Sequence, residues 1–361
     1  MRILHCIPGF ARGGTERRLS YLAAEQARSG HEVHIAFMYN GPNRGRLSAC
    51  GVALYQLRAA GNYDPRILFR LVQIISRASP DIVHTWLTQM DIFGGLAATV
   101  SGRPFVMSEP SSEQAYPTTW KNMVRGWIAR RAGAIISNSL GGEAYWRRRM
   151  PRTLRYVIPN GLPFEEIERT LPCELSDLGI DSPGSLILNV GMFRHEKNLL
   201  NMVRALAFVV SDLPANVVLC GEGPVRPAIQ WLAGELGIGR CLHFLGDSAR
   251  VWSLMKRADV LVAVSKFEGR PNAVIEAIAC GCPLVVSDIA AHREVVDEDC
   301  AYLVDPTDPS DIARGIRRAL RFPWEAKGKA ERAKARTAAW SVQAMANLHE
   351  KAYADVLARA G

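Results

Sequence analysis

The sequence predicts an α/β protein of two Rossmann-like domains whose parallel sheets face each other across a cleft. Three observations carry this. The chain has 361 residues, enough for two domains at about 100–200 residues each. Short β-like apolar runs alternate with helix-length segments along its whole length, as parallel sheets covered on both faces require. The alternation breaks once near the middle, at Ile158-Pro159-Asn160-Gly161-Leu162-Pro163, where two prolines around Asn-Gly make a turn.

In the first half, Ile3–Ile7, Val33–Met38, Val52–Leu57, Ile82–His84, Phe105–Met107, Ala134–Ser137 and Tyr156–Ile158 read as strands. Glu16–Ser29, Pro65–Ala78 and Thr118–Arg131 read as helices between them. After the break comes an acidic stretch, Glu165, Glu166 and Glu168. Leu186–Val190, Val217–Cys220, Leu242–Phe244, Val260–Val264 and Leu284–Val286 then read as strands. The expected domains are 1–164 and 165–340, with a last helix at 341–361 packing back on the first.

Apolar residues make up 48 % and charged residues 22 %, which excludes a disordered chain. No apolar run approaches the ~20 residues of a membrane span. Ile3–Pro8 is too short for the apolar part of an export signal, so a cytoplasmic protein is expected. The eight cysteines are scattered, without a C-x-x-C pair. They read as small buried side chains rather than a zinc site or disulfide framework. The net charge of +9 is uneven. Residues 1–170 hold 22 Lys and Arg against 12 Asp and Glu, and the remainder is nearly balanced. That asymmetry suggests a negatively charged partner for the first half, a membrane surface or nucleic acid.

Three segments carry candidate chemistry. Pro8-Gly9-Phe10-Ala11-Arg12-Gly13-Gly14-Thr15-Glu16-Arg17 follows the first strand and opens the first helix. Gly13 and Gly14 there would let backbone amides approach an anion; a plain strand–helix turn fits equally. Asn189-Val190-Gly191-Met192-Phe193-Arg194-His195-Glu196-Lys197-Asn198 places Gly191 at a strand end, with Arg194 and Lys197 beyond it. It suits a diphosphate at the carboxyl edge of the sheet, or is a solvated basic loop. The third runs from Ser265 through Glu268-Gly269-Arg270-Pro271-Asn272 to Glu276. Glu268 lies in a Gly/Pro loop, and Glu276 in a nearly all-apolar helix where a carboxylate needs a partner. Both can face one ligand, and a carboxylate accepts two hydroxyls, as a ribose diol or a sugar ring offers. The alternative is an ion-paired Glu276 with a surface Glu268.

In family order, these segments with Gly221-Glu222-Gly223-Pro224, Phe244-Leu245-Gly246, Ala258-Asp259-Val260 and Ala279–Val286 resemble the nucleotide-sugar-binding half of retaining glycosyltransferases of family GT4, which have the GT-B fold. The first half is similar through Gly13–Arg17, Asp81-Ile82-Val83-His84-Thr85-Trp86 and Pro159-Asn160-Gly161. The resemblance implies a nucleotide-diphosphate sugar, UDP- or GDP-linked, bound mostly by the second domain, with a glycan or polyprenyl-diphosphate-linked acceptor on the first. It implies Glu276 on the ribose, Glu268 on the donor sugar, and backbone amides of Gly269, Arg270, Pro271 and Asn272 on sugar hydroxyls or phosphate. Lys197 matches the family's phosphate lysine. Met192 stands where the family has arginine, and Arg194 is the expected replacement. Gly14 and Gly13 would approach the diphosphate from the first domain, and Gly221 and Gly223 belong to the donor side. His84, Trp86 and Asp91 are the acceptor-side candidates; Trp86 replaces a family histidine, and each of the three can instead simply pack.

No metal pair of the D-x-D kind stands at a strand end, so no metal and no cofactor are expected. Residues 121–155 hold nine basic residues and one acid, Glu143, and Trp120, Met123, Val124, Trp127 and Ile128 repeat at helical spacing. This segment reads either as a membrane-facing helix or as a core stripe with a solvated basic face. The expected function is sugar transfer in bacterial surface polysaccharide or lipopolysaccharide synthesis, at the inner face of the membrane. The alternatives are a UDP-sugar 2-epimerase, a catalytically inactive binding module of the same fold, and a nucleic-acid-binding protein. Against the first stands the Glu268–Glu276 spacing, and against the last the lack of any recognition signature.

Overall fold

The computed structural model describes residues 1–11, 13–110, 119–248, 250–337 and 339–360. Arg12 and Thr118, which figure in the expectations above, lie outside the described residues, as does Gly361. The chain divides into two compact units, Met1–Gly161 with Trp340–Gly361, and Leu162–Ala339.

The first unit runs β1 (Arg2–Gly9), α1 (Gly14–Arg28), β2 (Glu32–Tyr39), β3 (Ala53–Gln56), α2 (Arg66–Ala78), β4 (Ile82–Trp86), α3 (Leu87–Val100), β5 (Phe105–Glu109), α4 (Trp120–Ala129), β6 (Ala134–Ser137), α5 (Leu140–Arg149) and β7 (Leu154–Val157). The second runs α6 (Phe164–Arg169), β8 (Ser185–Val190), α7 (Leu199–Val210), β9 (Ala215–Cys220), α8 (Arg226–Glu235), β10 (Leu242–Gly246), α9 (Val251–Arg257), β11 (Val260–Ala263), α10 (Asn272–Ala279), β12 (Leu284–Ser287), α11 (Ala290–Arg293), β13 (Tyr302–Val304), α12 (Pro309–Arg321) and α13 (Pro323–Arg336). Then α14 (Val342–Ala360) returns to the first.

Seven strands of the first unit pair in the order β3-β2-β1-β4-β5-β6-β7, and six of the second in the order β10-β9-β8-β11-β12-β13. The pairings within both sheets are parallel. The order reverses at β1 in one sheet and β8 in the other, and the carboxyl edge at such a reversal is where open α/β sheets hold ligands.

Both faces of the first sheet are covered. Ile3, Ile7, Ile35 and Trp86 pack with α1 and with Val342, Met345, Tyr353 and Val356 of α14. Leu4, Cys6, Val83 and Met107 pack on the other side with Ile67, Leu71 and Ile75 of α2, spaced four apart on one helical face. In the second unit one core joins Val217, Leu219, Val260 and Val262 to α7, α8 and α12. Pro309 stands at the first position of α12, and Asp308 caps it by accepting the Ser310 amide at 2.8 Å.

Candidate active site

The second unit gathers most of the expected donor residues at the carboxyl ends of β8 and β11. One pocket is lined by Asn189, Gly191, Lys197, Ser265, Glu268 and Pro271, together with the first turn of α10. Lys197 Nζ donates to Glu268 Oε1 at 2.5 Å, and the Ser265 hydroxyl donates to the same oxygen at 2.7 Å. Two long loops thus meet as one unit. Their backbones are tied as well, since the Lys266 amide donates to Glu196 O at 2.8 Å. Asn198, in the left-handed region at φ 59°, ends the basic loop, and its amide donates to Val264 O and Pro306 O at 3.1 and 2.7 Å. A positive charge and a helix N-terminus share this pocket, which suits an anion.

Gly221 and Gly223 shape the basic loop from beneath. A Cβ on Gly221 would stand 1.9 Å from Gly191 O, and one on Gly223 would stand 2.3 Å from Phe193 O. Both also hold positive φ, 145° and 157°. Only glycine allows this close approach, so their visible role is to seat the loop that carries Lys197.

Glu276 is buried in α10 between Ile275 and Ala277, and its Oε2 accepts the indole N–H of Trp252 at 2.8 Å. Arg270 turns inward. Its side chain is buried, Glu294 lies at 4.0 Å, and burial lowers its pKa to about 10. Arg194 departs from expectation. It is exposed, its guanidinium lies 4.0 Å from Glu196, and among the described residues it is not one of those lining the pocket. Met192, at the position of the family's arginine, is 52 % exposed. Ser265, Asn198 and Trp252 are the residues that sequence reasoning did not single out. The first two are end residues of the quoted motifs to which no role was given, but nothing in the sequence links Trp252 to Glu276.

In the first unit, Gly13 is the N-cap of α1 and Gly14 its first residue. The three acceptor-side candidates lie in the interior. His84, Trp86 and Asp91 are each 0 % exposed, because β4 is covered on both faces and α3 packs over its end. His84 bonds the Tyr353 and Ser108 hydroxyls at 2.7 and 2.8 Å, and Trp86 Nε1 donates to His5 Nδ1 at 3.2 Å. Asp91 accepts from Thr85 Oγ1 and Arg125 Nε, both at 2.7 Å, and burial raises its pKa to about 6 against the pull of Arg125. All three pack; none presents a surface to an acceptor in this structure.

The helix expected at 118–131 is α4, rotated so that its stripe divides. Arg125, Ile128 and Ala129 point inward, while Trp120, Met123 and Trp127 are 60, 69 and 49 % exposed. The cause is Arg125, whose Nη1 lies 3.0 Å from Glu109 Oε2 while Nε holds Asp91. Trp146 also donates to Glu109 Oε2, at 2.8 Å. So one of the nine basic residues is internal, and Arg155 and Arg147 pair with Glu143 at 3.0 and 3.8 Å. Trp127, Met123, Arg130, Tyr145, Arg149 and Met150 line a surface groove between α4 and α5. Among the described residues, no helix is long and apolar enough to cross a membrane.

Two family profiles tile this architecture. Glycosyltransferase Family 4 matches residues 12–166, and Glycosyl transferases group 1 matches residues 174–339. The crystal structure of Anabaena HepE in complex with UDP and glucose superposes with a TM-score of 0.85 over 98 % of this chain and 99 % of that one, at 19 % identity. WaaG, a glycosyltransferase involved in lipopolysaccharide biosynthesis, gives 0.75 over 98 % and 99 %, also at 19 %. An Escherichia coli UDP-Gal:α-D-GlcNAc-diphosphoundecaprenol α-1,3-galactosyltransferase is 25 % identical over 71 % of this chain and 70 % of its own. Fold and profiles together define a glycosyltransferase of the GT-B class. The chain belongs to the group 1, family 4 glycosyltransferases.

Proposed function

We propose that this protein moves a hexosyl unit from a nucleotide-diphosphate sugar to a glycan or polyprenyl-diphosphate-linked acceptor, with retention at the anomeric carbon and without a metal ion, in synthesis of a bacterial surface polysaccharide. The observation that carries this is the meeting of Lys197, Glu268 and Ser265 beside the N-terminus of α10, the helix that also carries the buried Glu276. The relatives support the substrate classes: HepE is described with UDP-glucose, and the E. coli galactosyltransferase by its diphosphoundecaprenol-linked sugar.

In this reading the second unit holds the donor and the first unit the acceptor. Glu276 holds the ribose hydroxyls and Glu268 the donor sugar. The glycosyl–phosphate bond breaks through an oxocarbenium-like state, and negative charge grows on the leaving diphosphate. Lys197 and the α10 N-terminus are fixed in advance where that charge appears. The acceptor hydroxyl attacks from the face the diphosphate leaves, which takes up its proton. The test is hydrolysis of UDP-glucose, UDP-galactose, UDP-GlcNAc and GDP-mannose followed by proton NMR. One donor should be turned over with the released sugar first in its original anomeric configuration, and Glu276→Ala should lose the signal. Inverted product contradicts retention.

A peripheral seat on an anionic membrane completes the proposal. Trp120, Met123 and Trp127 face out from α4 beside Arg130, Arg131, Arg148, Arg149 and Arg152, all exposed. Apolar side chains ringed by arginines suit the interface of an anionic bilayer.

A further inference from the structure

The Lys197–Glu268 pair is also held from a third strand. Ser265 stands just past β11, and its hydroxyl donates to Glu268 Oε1 at 2.7 Å. Its carbonyl oxygen accepts the hydroxyl of Ser287 at 2.6 Å. Ser287 ends β12, 22 positions further along the chain. His292, in α11, closes on Ser287: its Nδ1 lies 2.8 Å from Ser287 O and 3.1 Å from Ser287 Oγ. His292 and Ser287 are 0 % exposed and Ser265 is 2 % exposed, so the chain of contacts is shielded from solvent.

Each link is given a direction by its neighbours. A carbonyl can only accept, so Ser287 O places the imidazole proton on Nδ1. That N–H is shared between Ser287 O and Oγ. Ser287 Oγ has one proton and gives it to Ser265 O. Donation therefore runs one way, from His292 through Ser287 to the backbone of Ser265, and such chains strengthen their own links. The other ring nitrogen, Nε2, is buried with no hydrogen-bond partner among the described residues, so Nδ1 does the hydrogen bonding. Burial holds the imidazole pKa below its ordinary value, and the opposed charges of Glu268 and Lys197 both reach the ring. A neutral ring adds no second positive charge beside Lys197. A histidine that only closed its own turn would end at Ser287 O; here the contacts continue to the charged pair.

We infer that His292 is a positioning residue for the Lys197–Glu268 pair: its Nδ1–H orients the Ser287 hydroxyl, which fixes the Ser265 backbone from which Glu268 is held. This rests on the nucleotide-sugar reading of the second unit and adds to it a residue outside the motifs of that reading.

The experiment joins amide hydrogen exchange of the full chain, without nucleotide, to donor turnover. The Lys266 amide donates to Glu196 O at 2.8 Å and reports on the Ser265 loop. The Leu261 amide in β11 donates to Pro283 O at 2.8 Å and reports on the sheet. His292→Phe keeps a ring and removes the N–H. Lys266 should then exchange about tenfold faster, the scale of one lost buried hydrogen bond, while Leu261 keeps the wild-type rate. Ser287→Ala should do the same, and the double variant no more than either alone, because both cut one chain. His292→Asn, whose amide N–H falls near the place of Nδ1, should restore most of the protection; His292→Gln, which reaches the place of Nε2, should not. On the nucleotide sugar that the wild type turns over, His292→Phe should lower kcat about tenfold and leave KM within about twofold. Equal acceleration at Lys266 and Leu261 shows a structural role only and overturns the inference. An unchanged Lys266 rate overturns it too, as does an unchanged kcat beside a faster Lys266. If the wild type turns over no nucleotide sugar, the donor reading fails, and the exchange comparison still decides whether His292 positions the pair.

Discussion

Lys197 and Glu268, 71 positions apart in sequence, meet at 2.5 Å through Nζ and Oε1. The family resemblance implies phosphate for one and sugar for the other, and the structure makes them one charged unit with Ser265 as third member. Both side chains are partly open to solvent, 27 and 13 % exposed, so the pair adds little to stability, about 1 kcal/mol or less. In the proposed function its value is preorganisation: the ammonium is held in place before the donor diphosphate arrives.

Two substitutions follow from that. Lys197→Ala should lower turnover by about 10²–10³, the usual scale for losing one fixed donor to a developing anion, with almost no change in melting temperature. Glu268→Gln removes the charge that competes for Lys197. UDP or GDP should then bind as well as to wild type or better, while turnover falls. Weaker nucleotide binding in Glu268→Gln, measured by calorimetry, would contradict the pairing logic.

Arg125 is the keystone of α4. It is 1 % exposed and joins Asp91 and Glu109. Arg125→Met keeps the volume but strands two buried carboxylates, and such losses run to about 3–5 kcal/mol. The deficit should shrink on acidification, because burial already pushes Asp91 up to about 6 and it then takes up a proton. Denaturant melts at pH 8 and pH 5 check both statements; a Met variant as stable as wild type at pH 8 would show that the triad does not carry α4.

Acid should loosen the first unit. His5, His84 and His349 are fully buried together, and burial is the first cause that holds each low: His5 at about 4, the other two well below the ordinary imidazole range. An unfolded chain binds three protons near pH 6.5 that the folded unit refuses. Stability is therefore full above pH 6.5 and declines as pH falls toward 4, by about 3 kcal/mol for His5 alone. Asp91 works the other way, since its raised pKa of about 6 favours the folded state below that pH. One carboxyl does not offset three imidazoles. A melting temperature that stays flat from pH 7 to pH 5 would refute this.

The α4 surface should bind vesicles rich in anionic lipid at low salt and not neutral ones. Met123→Glu with Trp127→Glu should abolish flotation, since both side chains are already exposed and their loss costs the fold little. Retention of binding in that variant would leave only a diffuse charge attraction.

The sequence made the strands legible where both faces are buried. Val217, Leu261 and Val285 lie in runs apolar throughout, and each run is a strand. It failed at edges. The outer strand β7 is Leu154–Val157 rather than Tyr156–Ile158, because Arg155 sits within it and bonds Glu143. In the second sheet the outer strand β13 has three residues and was not foreseen. At the site, Glu276 was legible because a carboxylate among apolar neighbours needs a reason. Its link to Trp252, and that of Arg125 to Asp91 and Glu109, were not. Each joins separate elements, and side-chain periodicity within one helix says nothing about a partner on another. The same limit explains α4: five apolar residues at helical spacing suggested one face, and a buried arginine turned three of them outward.

The central claim is that the second unit binds a nucleotide-diphosphate sugar through Glu276 and Lys197. The direct measurement is calorimetric titration of UDP-glucose, UDP-galactose, UDP-GlcNAc and GDP-mannose into the wild type, Glu276→Ala and Lys197→Ala. The account predicts that one nucleotide class binds the wild type and that both substitutions weaken it at least about tenfold, the effect of one lost charge-assisted hydrogen bond. Binding that survives both substitutions intact would place the donor elsewhere and contradict the account.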